Sequence, residues 1–95
     1  MPHPYKSTTH EEAFIHVQFS KETQEAIGLR AKTLFLRKEE DGNWYGTAAR
    51  CMTTDQFDRR IGRQVARTRY FRWPEDRVVL GSEAPKYEVA IDRIA

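Results

Sequence analysis

A chain of 95 residues holds one hydrophobic core, because two units of half this length would each bury too little surface to outweigh chain entropy without cross-links. Cys51 is the sole cysteine, which excludes an intramolecular disulfide and a thiolate zinc site and points to a reducing, cytoplasmic compartment. Lys and Arg number 16 against 14 Asp and Glu, a net charge of +2 that is too small to define a polyanion binder by itself, so its distribution matters more than its sum.

The 39% of apolar residues suffice for a core, and the 32% of charged residues are on the high side for a globular domain. Near the N-terminus, His3, His10, His16, Glu11 and Glu12 stand where a secretory leader would need an apolar run. The longest apolar runs are too short for a membrane-spanning helix, so a soluble protein with no membrane partner is expected.

Residues 1–12 contain Pro2, Pro4, Ser7, Thr8 and Thr9 with no apolar period, and read as a flexible arm ahead of a single α+β domain at 13–95. Residues 13–19 alternate as a half-buried strand, with Ile15, Val17 and Phe19 expected on the core side and Phe14, His16 and Gln18 on the other. Residues 20–27 read as a short helix capped by Ser20 and ended by Gly28. Residues 29–38 and 44–52 form a hairpin around Asp41-Gly42, where glycine supplies the positive φ of a tight reversal.

Thr53, Thr54 and Asp55 are N-cap candidates, and residues 55–71 carry a helical period that ends ahead of Pro74. At about 100° per residue, Phe57, Ile61, Val65 and Thr68 make an apolar stripe expected to lie on the hairpin, with Gln64 and Phe71 at its edge. Gly62 and Ala66, four apart, permit a close approach to a sheet or second helix, which offsets a helix-interior glycine cost of about 1 kcal/mol. Arg59, Arg63 and Arg67 form a column expected on the opposite face, with Arg60 beside it and Tyr70 continuing it.

Beyond Pro74, residues 77–80 read as a short strand and Tyr87, Val89 and Ile91 as a last one. A terminal helix over 88–94 fits the same residues, and the β-branched side chains favour the strand. The expected fold is α+β, a small antiparallel sheet of about five strands packed against one main amphipathic helix.

The segment GTAARCMTTDQFDRRIGRQVARTRY, residues 46–70, resembles small proteins encoded in bacteriophage and prophage genomes, through Cys51, Asp55, Phe57, Arg59, Arg60, Gly62, Arg63, Ala66 and Arg69. The match spans about a quarter of the chain, and the tail after Pro74 extends beyond the shorter members. The resemblance implies a phage or mobile-element origin, and with it action in the host cytoplasm.

Arg59, Arg60, Arg63, Arg67, Arg69 and Arg72 are uninterrupted by an acidic residue. Guanidinium forks bind phosphate and carboxylate bidentately and stack on bases. Arg59, Arg60, Arg63, Arg67 and Tyr70 are therefore the candidate partner- or phosphate-binding residues. The competing expectation is a solvated face paired with Glu39, Glu40, Asp41, Glu75 or Asp76.

The three histidines lack companions at ligand spacing, so no metal and no cofactor are expected. Cys51 reads as a structural thiol, since no histidine neighbours it in sequence to serve as base. No phosphate-binding glycine loop, serine elbow or metallohydrolase helix is present, which points away from enzymes. The resemblance to phage-encoded proteins then implies a non-enzymatic phage-type accessory protein, an inhibitor of a host defence system whose arginine-rich helix face acts on an acidic or phosphate-bearing partner such as a host protein complex. A nucleic-acid binder and a nucleotide-signal sponge are the alternatives, and a homodimer is compatible with each.

Overall fold

The computed structural model describes residues 11–94. Of the expected arm, only Glu11 and Glu12 fall inside that range; the rest lies outside the described residues. Glu12 already belongs to the first strand, because its backbone pairs across to Arg37.

The elements are β1 (Glu12–Gln18), α1 (Lys21–Ile27), β2 (Leu29–Lys38), β3 (Trp44–Met52), α2 (Arg59–Arg72), a 3-10 turn (Pro74–Asp76), β4 (Val78–Gly81) and α3 (Tyr87–Arg93). The four strands form one antiparallel sheet in the order β1-β2-β3-β4. The α+β class is as expected, with four strands where about five were expected. The Ser20 hydroxyl accepts from Thr23 N, and Gly28, at a φ of 74°, closes α1 in the left-handed conformation. The β2–β3 reversal places Gly42 at a φ of 86°, while Asp41 Oδ1 accepts from Asn43 N at 2.9 Å.

Helices cover both faces of the sheet, and both sides of β1 are half-buried except at the exposed Gln18. On one face, Leu34, Leu36, Trp44 and Ala48 bury against Leu80, Ala90 and Ile94, with Ile15 packed at the margin. On the other, Phe35 and Ala49 bury against Ala66 and Tyr70 of α2, with Phe14 and Tyr45 alongside. Phe14 was expected on a polar side and instead joins this second cluster.

The last element corrects the strand expected at Tyr87, Val89 and Ile91: it is helix α3. The buried side chains are Ala90 and Ile94, at 0% and 1% exposure, while Asp92 between them is exposed; a strand would put all three on one face, whereas a helix groups residues four apart and turns Asp92 away. Packing of that pair onto β3 overrides the β preference of Val89 and Ile91. Gly46 makes the fit possible, since a Cβ there would stand 2.4 Å from Ile94 Cδ1.

Candidate interaction surface

Helix α2 begins later than residues 55–71 would have it. Its N-cap is Asp58, whose carboxylate accepts from Arg60 N at 2.9 Å and Ile61 N at 3.3 Å. Asp55 instead closes a turn, its N–H donating to Met52 O at 3.0 Å. One carboxylate that satisfies two orphan N–H groups is a better start than the threonines upstream. Phe57 therefore precedes the helix.

The helix is also rotated relative to its apolar stripe. The side facing the sheet is the ridge Gly62, Ala66, Tyr70. A Cβ on Gly62 would lie 2.4 Å from Thr33 Oγ1, Ala66 is fully buried, and Thr47 Oγ1 donates to Ala66 O at 2.7 Å. Small residues at 62 and 66 let the backbone settle onto β2 and β3, and Tyr70 then fills the space beyond them. The stripe expected on the hairpin is not the buried one: Ile61 is 58% exposed, Val65 42% and Phe71 43%, and these side chains lie to the sides of the ridge.

The same rotation moves the candidate arginines. Arg59, Arg63 and Arg67 flank the buried ridge on the β1 side and are not opposite the sheet. Arg67 pairs with Glu12 Oε1 at 2.9 Å, and its guanidinium lies 4.8 Å from the Phe71 centroid. Arg59 and Arg63 reach the neighbourhood of His16. Burial first, then the charges of these two arginines, hold the His16 imidazole below its ordinary pKa. His16 Nδ1 is 3.1 Å from Thr33 Oγ1. Arg59 and Arg60 are exposed in the first helical turn.

Tyr70 does not join the arginine surface. It is fully buried, its ring edge-on to Phe35 at 5.1 Å and under the Arg77 guanidinium at 4.0 Å. Its hydroxyl donates to Glu39. Burial, reinforced by that carboxylate, raises its pKa far above the ordinary phenol value. Its role is structural, because a ring closed in on all sides cannot stack on a ligand.

The expected ion pairs between α2 and the hairpin turn are replaced by pairs to Glu12. That carboxylate bridges Arg37 and Arg67, while Glu39 takes Arg37 Nε at 3.2 Å. Glu12, at 9% side-chain exposure, was missed by the sequence reading because it was assigned to the arm. Arg69, on the other flank, donates to Ala48 O at 2.7 Å. Ala48 lies on β3 beyond Gly46, the last β3 residue paired with β4, so the guanidinium takes the place a further strand would fill.

Between α2 and this end of β3 lies a cleft of about 270 Å³ lined by Ala49, Cys51, Phe57, Ile61 and Val65, with Arg50, Asp55 and Asp58 also in its wall. Its volume falls just below the ~300–1,000 Å³ range of small-molecule sites, which suits one or two apolar side chains better than a nucleotide. Cys51 Sγ is 3.7 Å from Asp55 O and half-buried. Among the described residues, no group of His, Cys, Asp or Glu is placed to hold a metal ion, and no helix is long and apolar enough to cross a membrane. No family model matches the chain, and neither a curated protein nor a solved structure matches it.

Proposed function

We propose that this chain is a non-catalytic binding protein that captures an acidic or phosphate-bearing partner on the arginine surface of α2. Following the resemblance of residues 46–70 to phage-encoded proteins, we assign it the role of inhibiting a host defence system in the host cytoplasm.

The observation that carries the reading is the charge of α2. The helix has arginine at 59, 60, 63, 67, 69 and 72, with no acidic residue and no lysine. Arg59 and Arg60 occupy the first turn, where the backbone dipole favours acids and each cation opposes it by a few tenths of a kcal/mol, about 0.3–1. An arrangement that works against helix stability and, among the described residues, serves no ion pair at Arg60 is accounted for by an external anion. Arg67 and Arg69 are committed to Glu12 and Ala48 O, so the exposed Arg59 and Arg60 carry most of the external attraction, with Arg63 adding its charge beside them.

A second reading, a nucleic-acid binder, is favoured by one feature: Arg72 lies 5.3 Å over the ring of Trp73, which is 43% exposed and can present a stacking plane to a base.

The test is fluorescence anisotropy with a labelled single-stranded oligonucleotide and with labelled polyglutamate, across a salt series. The triple variant Arg59→Ala/Arg60→Ala/Arg63→Ala is expected to lose at least about tenfold in affinity for the anion that binds, with its thermal unfolding unchanged. Equal affinity of the triple variant and the parent for every anion would sink the proposal. A slope of log affinity against log salt of about −0.7 per phosphate contact would favour nucleic acid over protein.

A further inference from the structure

We infer that the partner is a protein, and that it docks with an acidic segment whose apolar side chains pack on Ile61 and Val65 and enter the cleft beside Ala49, Cys51 and Phe57. This rests on the proposed anionic character of the partner and names its class.

With Gly62, Ala66 and Tyr70 on the sheet, about 100° per residue puts Gln64 and Thr68 outermost on α2, with Ile61 and Val65 beside them on the slope above the β3 cleft. Arg60, Arg63 and Arg67 lie toward β1, and Arg69 and Arg72 toward β3, where Arg50 joins them from the cleft wall. Ile61, Val65, Phe71 and Trp73 are each more than 40% exposed. Exposed apolar side chains beside arginines are enriched at protein-binding surfaces; of the acids in the cleft wall, Asp55 and Asp58, the Asp58 carboxylate is already taken by the N–H groups of Arg60 and Ile61.

Charge and composition decide between the occupants. A phosphate backbone is satisfied by arginine alone and gains nothing from exposed Ile61 and Val65, which in its absence cost solvation. A second copy meeting this face about a two-fold axis would press arginine on arginine. Residues 1–10 of this chain contain no Asp or Glu, so they offer the arginines no carboxylate. An acidic protein segment with apolar side chains satisfies arginines, slope and cleft together.

The test uses three labelled probes: a helical peptide of about 18 residues built of glutamate with leucine along one face, the same peptide with every leucine replaced by glutamine, and a single-stranded oligonucleotide of equal charge. The leucine peptide is expected to bind at least about tenfold tighter than its glutamine counterpart. The neutral variant Ile61→Ser/Val65→Ser is expected to abolish that preference while leaving affinity for the glutamine peptide unchanged and the circular dichroism spectrum intact. Equal binding of the two peptides overturns the inference, as does tighter binding of the oligonucleotide that ignores Ile61 and Val65. So does a change of sedimentation mass in the double variant, which would assign the slope to a second copy. Indifference of all three probes to Arg59→Ala/Arg60→Ala/Arg63→Ala would instead refute the anionic partner itself.

Discussion

The two faces of the sheet are covered by helices in opposite ways. Under α3, contact is mainly apolar: Leu34, Leu36, Trp44, Ala48, Leu80, Ala90 and Ile94 close on one another, and Lys32 Nζ donates to Ile94 O at 2.9 Å. Under α2, only Phe35, Ala49, Ala66 and Tyr70 form the buried apolar cluster, and much of the attachment is polar. Thr47 donates to Ala66 O, Tyr70 to Glu39 and Arg69 to Ala48 O, while Arg67 pairs with Glu12. A helix held by small residues and hydrogen bonds does not need its own apolar side chains for attachment. Ile61 and Val65 of α2 remain available on the outside, whereas Ile94, at the C-terminal cap of α3, is buried in the core with Ile91 packed against it, and Val89 is left 41% exposed.

The largest effect expected from this contrast is on the α3 face. Ile94→Ala empties a site that is 1% exposed and is expected to destabilise the fold by about 2–5 kcal/mol, measured by urea denaturation. A loss under 1 kcal/mol would mean that α3 is an appendage.

Next is Gly62→Ala. Alanine gains about 1 kcal/mol of helix propensity, but its Cβ would sit 2.4 Å from Thr33 Oγ1 and 3.0 Å from Thr33 Cβ. The clash is expected to win, with a net loss of about 1–3 kcal/mol that Thr33→Ala partly restores. Stabilisation by Gly62→Ala alone would show that α2 stands further from the sheet.

Tyr70→Phe keeps the ring and removes the donor to Glu39, leaving a carboxylate partly unsatisfied, and should cost about 1–2 kcal/mol in the same assay. An unchanged midpoint would show that Arg37 alone satisfies Glu39.

The smallest effect is a pH dependence. The His16 pKa is lower in the fold than its ordinary 6.5, through burial and then Arg59 and Arg63, so the unfolded chain binds the proton more readily. Stability is therefore complete above pH 6.5 and falls as pH drops below it toward the folded value. The melting temperature should decline from about pH 7.5 to about pH 5, and His16→Gln should flatten the decline. The depressed Asp41 carboxyl acts below its ordinary 3.8, outside this window. A profile unaltered by His16→Gln would place the titration elsewhere.

Elements with their own punctuation were legible in the sequence. Ser20 and Gly28 mark α1, Asp41-Gly42 marks the hairpin, and Gly62 with Ala66 marks the close approach of a helix, each a local chemical requirement that needs no knowledge of the rest of the chain. The rotation of α2 was not legible. Two ridges at spacing four compete along it, Ile61 with Val65 and Gly62 with Ala66 and Tyr70. Side-chain hydrophobicity selects the first, whereas the second wins because small residues let backbone and sheet touch and the tyrosine buries a whole ring. Phe57 strengthened the wrong ridge, since Asp58 takes the cap and leaves Phe57 outside the helix. The same error put Tyr70 among the ligand-binding candidates and set the arginine column opposite the sheet, when it leans over β1. For α3, a seven-residue segment fits two periods, and what separates them is the burial of Ala90 and Ile94 with Asp92 exposed between them.

The central claim is that α2 turns Ile61 and Val65 outward. The most direct measurement is the urea unfolding free energy of Ile61→Ser/Val65→Ser beside that of the parent. The outward orientation predicts a total loss within about 1 kcal/mol, as for exposed substitutions; a loss of about 4 kcal/mol or more, the cost of two buried side chains turned polar, would put the two side chains back on the sheet and contradict the account.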